Sequence, residues 1–199
     1  MDFMDINLII AGRVRELRNA LGLSLDALAK RSGVSRANIS LIERGESNPT
    51  AALLDKLAAS LDVTLAALFE DKTPAAAPSP LARAAQQPVW TDPASGYVRR
   101  NLSPAARSPI QLVDVTFPAG QRVAYDGVAR GVDIHQQVWM IDGAMELTVG
   151  EQSWRLETGD CLTMRLDCPI VYHNPTLAPA RYLVALVPLP LPPTGKTHD

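Results

Sequence analysis

Residues 24–45, SLDALAKRSGVSRANISLIERG, constrain this chain more than any other stretch, because their punctuation predicts two short helices meeting at a glycine turn. Ser24 and Ser35 each precede an apolar-periodic run, where a hydroxyl accepts a bond from an otherwise unpaired N–H of the first helical turn. Gly33 and Gly45 follow the last periodic residues, and a left-handed stop costs glycine least. Leu25, Leu28 and Ala29 line one face of the first helix, and Val34, Ile39 and Ile42 line the inner face of the turn and the second. Two helices that cross steeply over a short turn need a small side chain where their backbones approach, and Ala29 supplies it.

Helical patterns flank the pair. INLIIAGRVRELRNALG stops at Gly22, TAALLDKLAASLD starts at Thr50 after the Asn48-Pro49 turn, and TLAALFE suggests a short fifth helix. Residues 7–70 thus resemble the phage-repressor (XRE-like) type of helix-turn-helix, which implies an all-α five-helix domain that binds double-stranded DNA. In that geometry the start of the second motif helix enters the major groove. The resemblance puts Arg36, Ala37, Asn38 and Ser40 at base edges, with Arg36 suited to a bidentate pair with guanine and Ala37 to a thymine methyl. It puts Arg31, Ser35, Arg44, Asn48 and Thr50 at phosphates, which fix register without reading sequence. Many members carry Gln directly after the serine that opens the first motif helix; Leu25 stands here instead, so that contact is not carried over.

A formal charge of −2 and a pI near 5.9 give no general basic excess, so DNA binding has to rest on a local patch. Arg13, Arg15, Arg18, Arg31, Arg36 and Arg44 are its candidates. One such domain binds weakly alone, and a homodimer on a palindromic operator, with half-sites about 34 Å apart, is expected. With 199 residues, 47% of them apolar, two domains can each bury a core. The acidic start, the absence of an apolar run of membrane-spanning length and only two cysteines, Cys161 and Cys168, favour a cytoplasmic protein with no membrane partner.

Residues 72–88, KTPAAAPSPLARAAQQP, read as a semi-rigid tether that would let a DNA-binding head reorient, within a linker assigned to 71–94. Residues 191–199 read as a flexible tail. Between them QLVDVTF, QQVWMID, MELTVG, QSWRLE, CLTMRL, IVYHN and RYLVALV alternate in the manner of antiparallel strands. Over residues 95–190 the turn in MIDGAMELTVG and the LETGDCLTM and CPIVYHNP segments resemble the cupin family, implying an all-β jelly-roll barrel after the helical domain.

Metal-binding cupins carry two histidines and a glutamate on the first motif and another histidine on the second. The resemblance sets Gln136 at the glutamate position, residues 129–132 at the histidine pair and Ile170 at the last histidine, so no metal or other cofactor is expected. His135 and His173 fall one residue off register and should face outward, as should Trp139 and Ile141, which are expected to pack on a partner sheet or dimer mate. Alternation turns Gln136, Val138, Met140, Ile170, Tyr172 and Asn174 inward, an apolar pocket with two amides and a phenol for a small organic effector. The expectation is a non-enzymatic, effector-sensing transcriptional regulator. A metal-dependent cupin enzyme fused to a DNA-binding head, and an antitoxin-like protein-interaction module, are the alternatives.

Overall fold

The computed structural model describes residues 6–70, 78–127 and 131–190. Four α-helices open the chain: α1 (Ile6–Ala20), α2 (Leu25–Ser32), α3 (Arg36–Glu43) and α4 (Ala51–Ser60). Three of them start on side-chain caps: Ser24 accepts from Ala27 N at 3.1 Å, Ser35 from Asn38 N at 3.2 Å and Thr50 from Leu53 N at 3.3 Å. Gly33 ends α2 at φ 68°, its N–H donating to Ala29 O at 2.9 Å, and this left-handed residue turns the chain toward α3. Leu28, Val34, Ile39 and Ile42 pack with Ile10, Val14 and Leu54 in the core between the helices.

The fifth helix expected from TLAALFE is instead a 3-10 turn, Leu65–Phe69. Thr64 caps it, accepting from Ala67 N at 3.1 Å, and the backbone is already extended at Glu70. So short a run gains too few i→i+4 bonds to offset α-nucleation, and the tighter winding lets Ala66, Leu68 and Phe69 all be buried.

The second domain contains β1 (Val89–Thr91), β2 (Val98–Asn101), β3 (Gln111–Phe117), β4 (Arg122–Tyr125), β5 (Val132–Asp142), β6 (Ala144–Val149), β7 (Gln152–Glu157), β8 (Cys161–Arg165), β9 (Ile170–His173) and β10 (Ala180–Pro190). They form a six-stranded sheet, β1-β2-β3-β10-β5-β8, and a four-stranded sheet, β4-β9-β6-β7, with every pairing antiparallel. The expected closed barrel is therefore an open sandwich. Closure needs two hydrogen-bonded neighbours for every strand, whereas β1, β8, β4 and β7 have one each. The chain crosses between sheets at Gly143 (φ 79°), where a Cβ would lie 3.0 Å from Pro179 O and from Ala180 Cα. β1 lies within the span assigned to the linker, while residues 71–77 and the tail 191–199 lie outside the described residues.

The helical domain is seated on the sandwich, contrary to the reading of a reorienting head. Asp92 accepts the first N–H of α4, from Ala51, at 2.8 Å, and Thr64 Oγ1 donates to Gln111 Oε1 at 2.6 Å. Asn101 Nδ2 donates to Ala66 O at 3.3 Å, and Gly131 N donates to Asp62 Oδ1 at 2.7 Å. Phe69 packs on Trp90 with ring centroids 5.4 Å apart, and buried apolar residues of both domains form one continuous cluster. Composition marked the connection as exposed, but these polar pairs and aromatic rings on either side of it hold the domains together.

Candidate nucleic-acid interface and interior cavity

Ile39 and Ile42 anchor the inner face of α3, which leaves Arg36, Ala37 and Asn38 exposed on its first turn and Ser40 half-buried one turn on. Arg36 Nε lies 3.4 Å from Asp26 Oδ1 on α2. Ser40 Oγ accepts from Arg44 Nη1 at 2.6 Å, and Arg44 also pairs with Glu46 at 2.8 Å, an interaction that holds the Glu46 carboxyl below its usual range. Ser35 and Thr50 act as helix caps, Asn48 is exposed in the exit loop, and Arg31 pairs with Asp62 at 2.6 Å.

Two of the six candidate patch arginines face elsewhere. Arg13 is buried and donates to Ala67 O at 3.2 Å, while Arg18 grips Glu43 with two bonds of 2.6 and 2.9 Å. Glu43, 6% exposed, is the carboxylate that ties α3 to α1, and Arg15 donates to its backbone oxygen. That leaves Arg15, Arg31, Arg36 and Arg44 as the exposed members of the set.

In the sandwich, β5 and β9 alternate. Gln136, Val138 and Met140, with Ile170, Tyr172 and Asn174, are buried, whereas Gln137 and Trp139 are exposed and Ile141 is half-buried. A cavity of about 80 Å³ lies between the domains, and Gln136, Ile170 and Tyr172 line it. Val138 and Met140 are packed into the core beyond it, and Asn174 is spent on the turn at 174–178, donating to Ala178 O at 2.8 Å. Gln136 Nε2 donates to Tyr172 OH at 2.5 Å, and Tyr97 and Tyr125 share a hydroxyl bond of 3.1 Å. The chain's four tyrosines, Tyr97, Tyr125, Tyr172 and Tyr182, all border the cavity, and burial pushes each phenol above its ordinary range. Asp55, Thr64, Leu65 and Ala66 of the helical domain form the opposite wall.

A helix-turn-helix family model matches residues 14–68. The HTH-type transcriptional regulator SutR of Escherichia coli (strain K12) is 30% identical over 162 residues, 81% of this chain and 84% of that protein. The chain belongs to the HTH-type transcriptional regulators. SinR of Bacillus subtilis (strain 168), also described as an HTH-type transcriptional regulator, is 37% identical to this regulator over 65 residues, 32% of this chain and 59% of SinR. The crystal structure of an HTH_3 family transcriptional regulator from Vibrio cholerae superposes with a TM-score of 0.73 at 27% identity, covering 92% of this chain and 96% of that one. A cupin domain from an XRE family regulator of Enterobacter cloacae covers 48% of this chain at a TM-score of 0.41 and 16% identity, too distant to support a functional statement.

Elsewhere in the regulator, His135 pairs with Asp133 and His173 with Glu146, each at 3.2 Å. Among the described residues no three His, Cys, Asp or Glu side chains are grouped as metal ligands; residues 129 and 130, half of the 129–132 stretch that stands, without a histidine, where metal-binding cupins carry their histidine pair, lie outside them. Cys161 is exposed at the start of β8, and Cys168 borders the cavity. No described helix is long and apolar enough to cross a membrane. Sequence reasoning missed Arg99, 6% exposed on β2 at the cavity, with its guanidinium 4.6 Å over the Phe69 ring. Its signal was the alternation in YVRRN, where Tyr97, Arg99 and Asn101 share one face of a strand.

Proposed function

We propose that this regulator is a homodimer that reads a palindromic operator through α3, and that its sandwich senses a small organic effector without catalysing a reaction. The exposed first turn of α3 carries the reading: Arg36, Ala37 and Asn38 face solvent on a helix whose opposite side is locked into the core. Arg36, Ala37, Asn38 and Ser40 are assigned to base edges, and Arg31, Ser35, Arg44, Asn48 and Thr50 to the backbone. A second copy is expected to seat on the outer face of the six-stranded sheet, where Trp139 is 48% exposed and its strand neighbour Leu183 is half-buried. Effector occupancy would act through linkage, shifting operator affinity only by as much as the effector distinguishes two arrangements of the dimer.

Selection of binding sites from randomised duplex DNA, followed by anisotropy titration, tests the reading. An enriched inverted repeat is expected, and Arg36→Ala should cost about 1–3 kcal/mol per contact and relax one position per half-site. No enriched sequence would overturn the DNA-reading function. An enriched sequence bound unchanged by Arg36→Ala would overturn only that residue's role.

A further inference from the structure

We propose that the cavity between the domains binds a small organic carboxylate, held by Arg99 and Tyr172, and that it is complete only while the helical domain is seated on the sandwich. The inference rests on the effector-sensing reading above. Arg99 is a buried cation whose Nε has no hydrogen-bond partner, and among the described residues it forms no ion pair. A buried charge without a counter-charge is costly, so a site built around one favours an anion. Phe69 covers the face of the guanidinium and Tyr97 hydrogen-bonds to it, which leaves Nε and the remaining N–H groups of its edge for a planar acceptor, and a carboxylate matches that fork in two parallel bonds.

The other charged groups of the cavity are already engaged. Asp126 pairs with Lys56 at 3.0 Å, and Asp55 has an interaction of its own. Tyr172 OH already accepts from Gln136, so its own hydrogen is the one left to donate. Burial keeps that phenol protonated and able to do so. One guanidinium balances a monoanion, not a phosphate dianion, and Val113, Val115, Val184 and Leu186 suit a short hydrocarbon body. About 80 Å³ of free space admits roughly four to eight non-hydrogen atoms.

Thr64, Leu65 and Ala66 come from the helical domain, so a ligand that touches them binds the seated arrangement better than a separated one. Carboxylate binding and head position are thereby coupled.

The test uses the full chain with propionate, pyruvate and lactate as probes and propionamide and lactamide as neutral controls. Calorimetric titration should detect at least one carboxylate and neither amide. Arg99→Met should weaken that carboxylate about tenfold or more, and Tyr172→Phe roughly three- to tenfold, both with selected-operator binding intact in the absence of ligand. The carboxylate should slow amide exchange in Leu65–Phe69 as well as in β2 and β9. No binding by any of the three carboxylates, equal binding of the amides, or undiminished binding by both variants overturns the anion site. Protection confined to the sandwich overturns the coupling. If operator binding persists through these outcomes the regulator reading stands, whereas its loss in the wild-type chain would strike that reading instead.

Discussion

Asp92→Ala should unseat the helical domain from the sandwich. Asp92 is 1% exposed and accepts three bonds: from Ala51 N at 2.8 Å, Ser95 N at 2.9 Å and Ser95 Oγ at 2.6 Å. The first is made across the domain boundary to the opening residue of α4, where a carboxylate also meets the positive end of the helix dipole. Truncation orphans the buried Ala51 N–H, at about 1–3 kcal/mol, and removes a charge–dipole term of up to about 2 kcal/mol. Half-buried Ser95 can turn its groups to water, and relief of the desolvated carboxylate offsets part of the loss, so about 2–4 kcal/mol remains. For a chain of this length that lowers Tm by roughly 4–16 °C. Thermal unfolding followed by circular dichroism reads the total, and amide exchange reads its location. Asp92→Ala should accelerate exchange in both the first turn of α4 and Leu65–Phe69, whereas Thr50→Ala, which removes the cap within the helical domain, should cost about 1 kcal/mol and affect α4 alone. A Tm for Asp92→Ala within about 1 °C of wild type, or faster exchange confined to the β1–β2 turn, would refute the argument.

Glu43→Ala should destabilise the helical domain by about 3–5 kcal/mol, measured by urea unfolding, because it strands the largely buried Arg18 without its counter-charge; a loss under about 1 kcal/mol would mean that the pair contributes little. Phenolate absorbance at high pH should show no tyrosine ionising near its ordinary value in the folded state, since burial raises all four phenols. The folded state then holds protons that the unfolded state releases, so their stabilisation is full below about pH 10 and is lost as pH rises above it. Ionisation of even one phenol near pH 10 without unfolding would contradict the burial of that hydroxyl. Trp139→Lys should yield monomers by light scattering and weaken operator binding more than tenfold; an unchanged dimer would place the interface elsewhere.

What the sequence disclosed was local. Ser24, Ser35, Thr50 and Gly33 act on groups within four residues of themselves, so the helix boundaries could be read from neighbouring letters. The inward alternation of β5 and β9 was legible for the same reason. The cavity was only half legible, because its other wall comes from residues far away in the chain, and Arg99 sits on a four-residue strand too short and too polar to stand out. Arg13 and Arg18 were read as a basic patch because a run of arginines on a helix carries no mark of Ala67 or Glu43, their partners 54 and 25 residues on.

The carboxylates on the candidate DNA face also bear on how an operator would be bound. Asp62, Asp26 and Glu46 already hold Arg31, Arg36 and Arg44. Engaging a phosphate or guanine is then an exchange of one anionic partner for another, and each displaced carboxylate must recruit a cation from solution. That uptake counteracts part of the cation release from the duplex, so operator affinity should fall less steeply with salt than the number of arginines at the interface implies. On the proposed assignment of Arg36 to guanine, non-specific DNA, which offers phosphates but no correctly placed guanine, would have less with which to displace Asp26, and these internal pairs would set a threshold against indiscriminate binding.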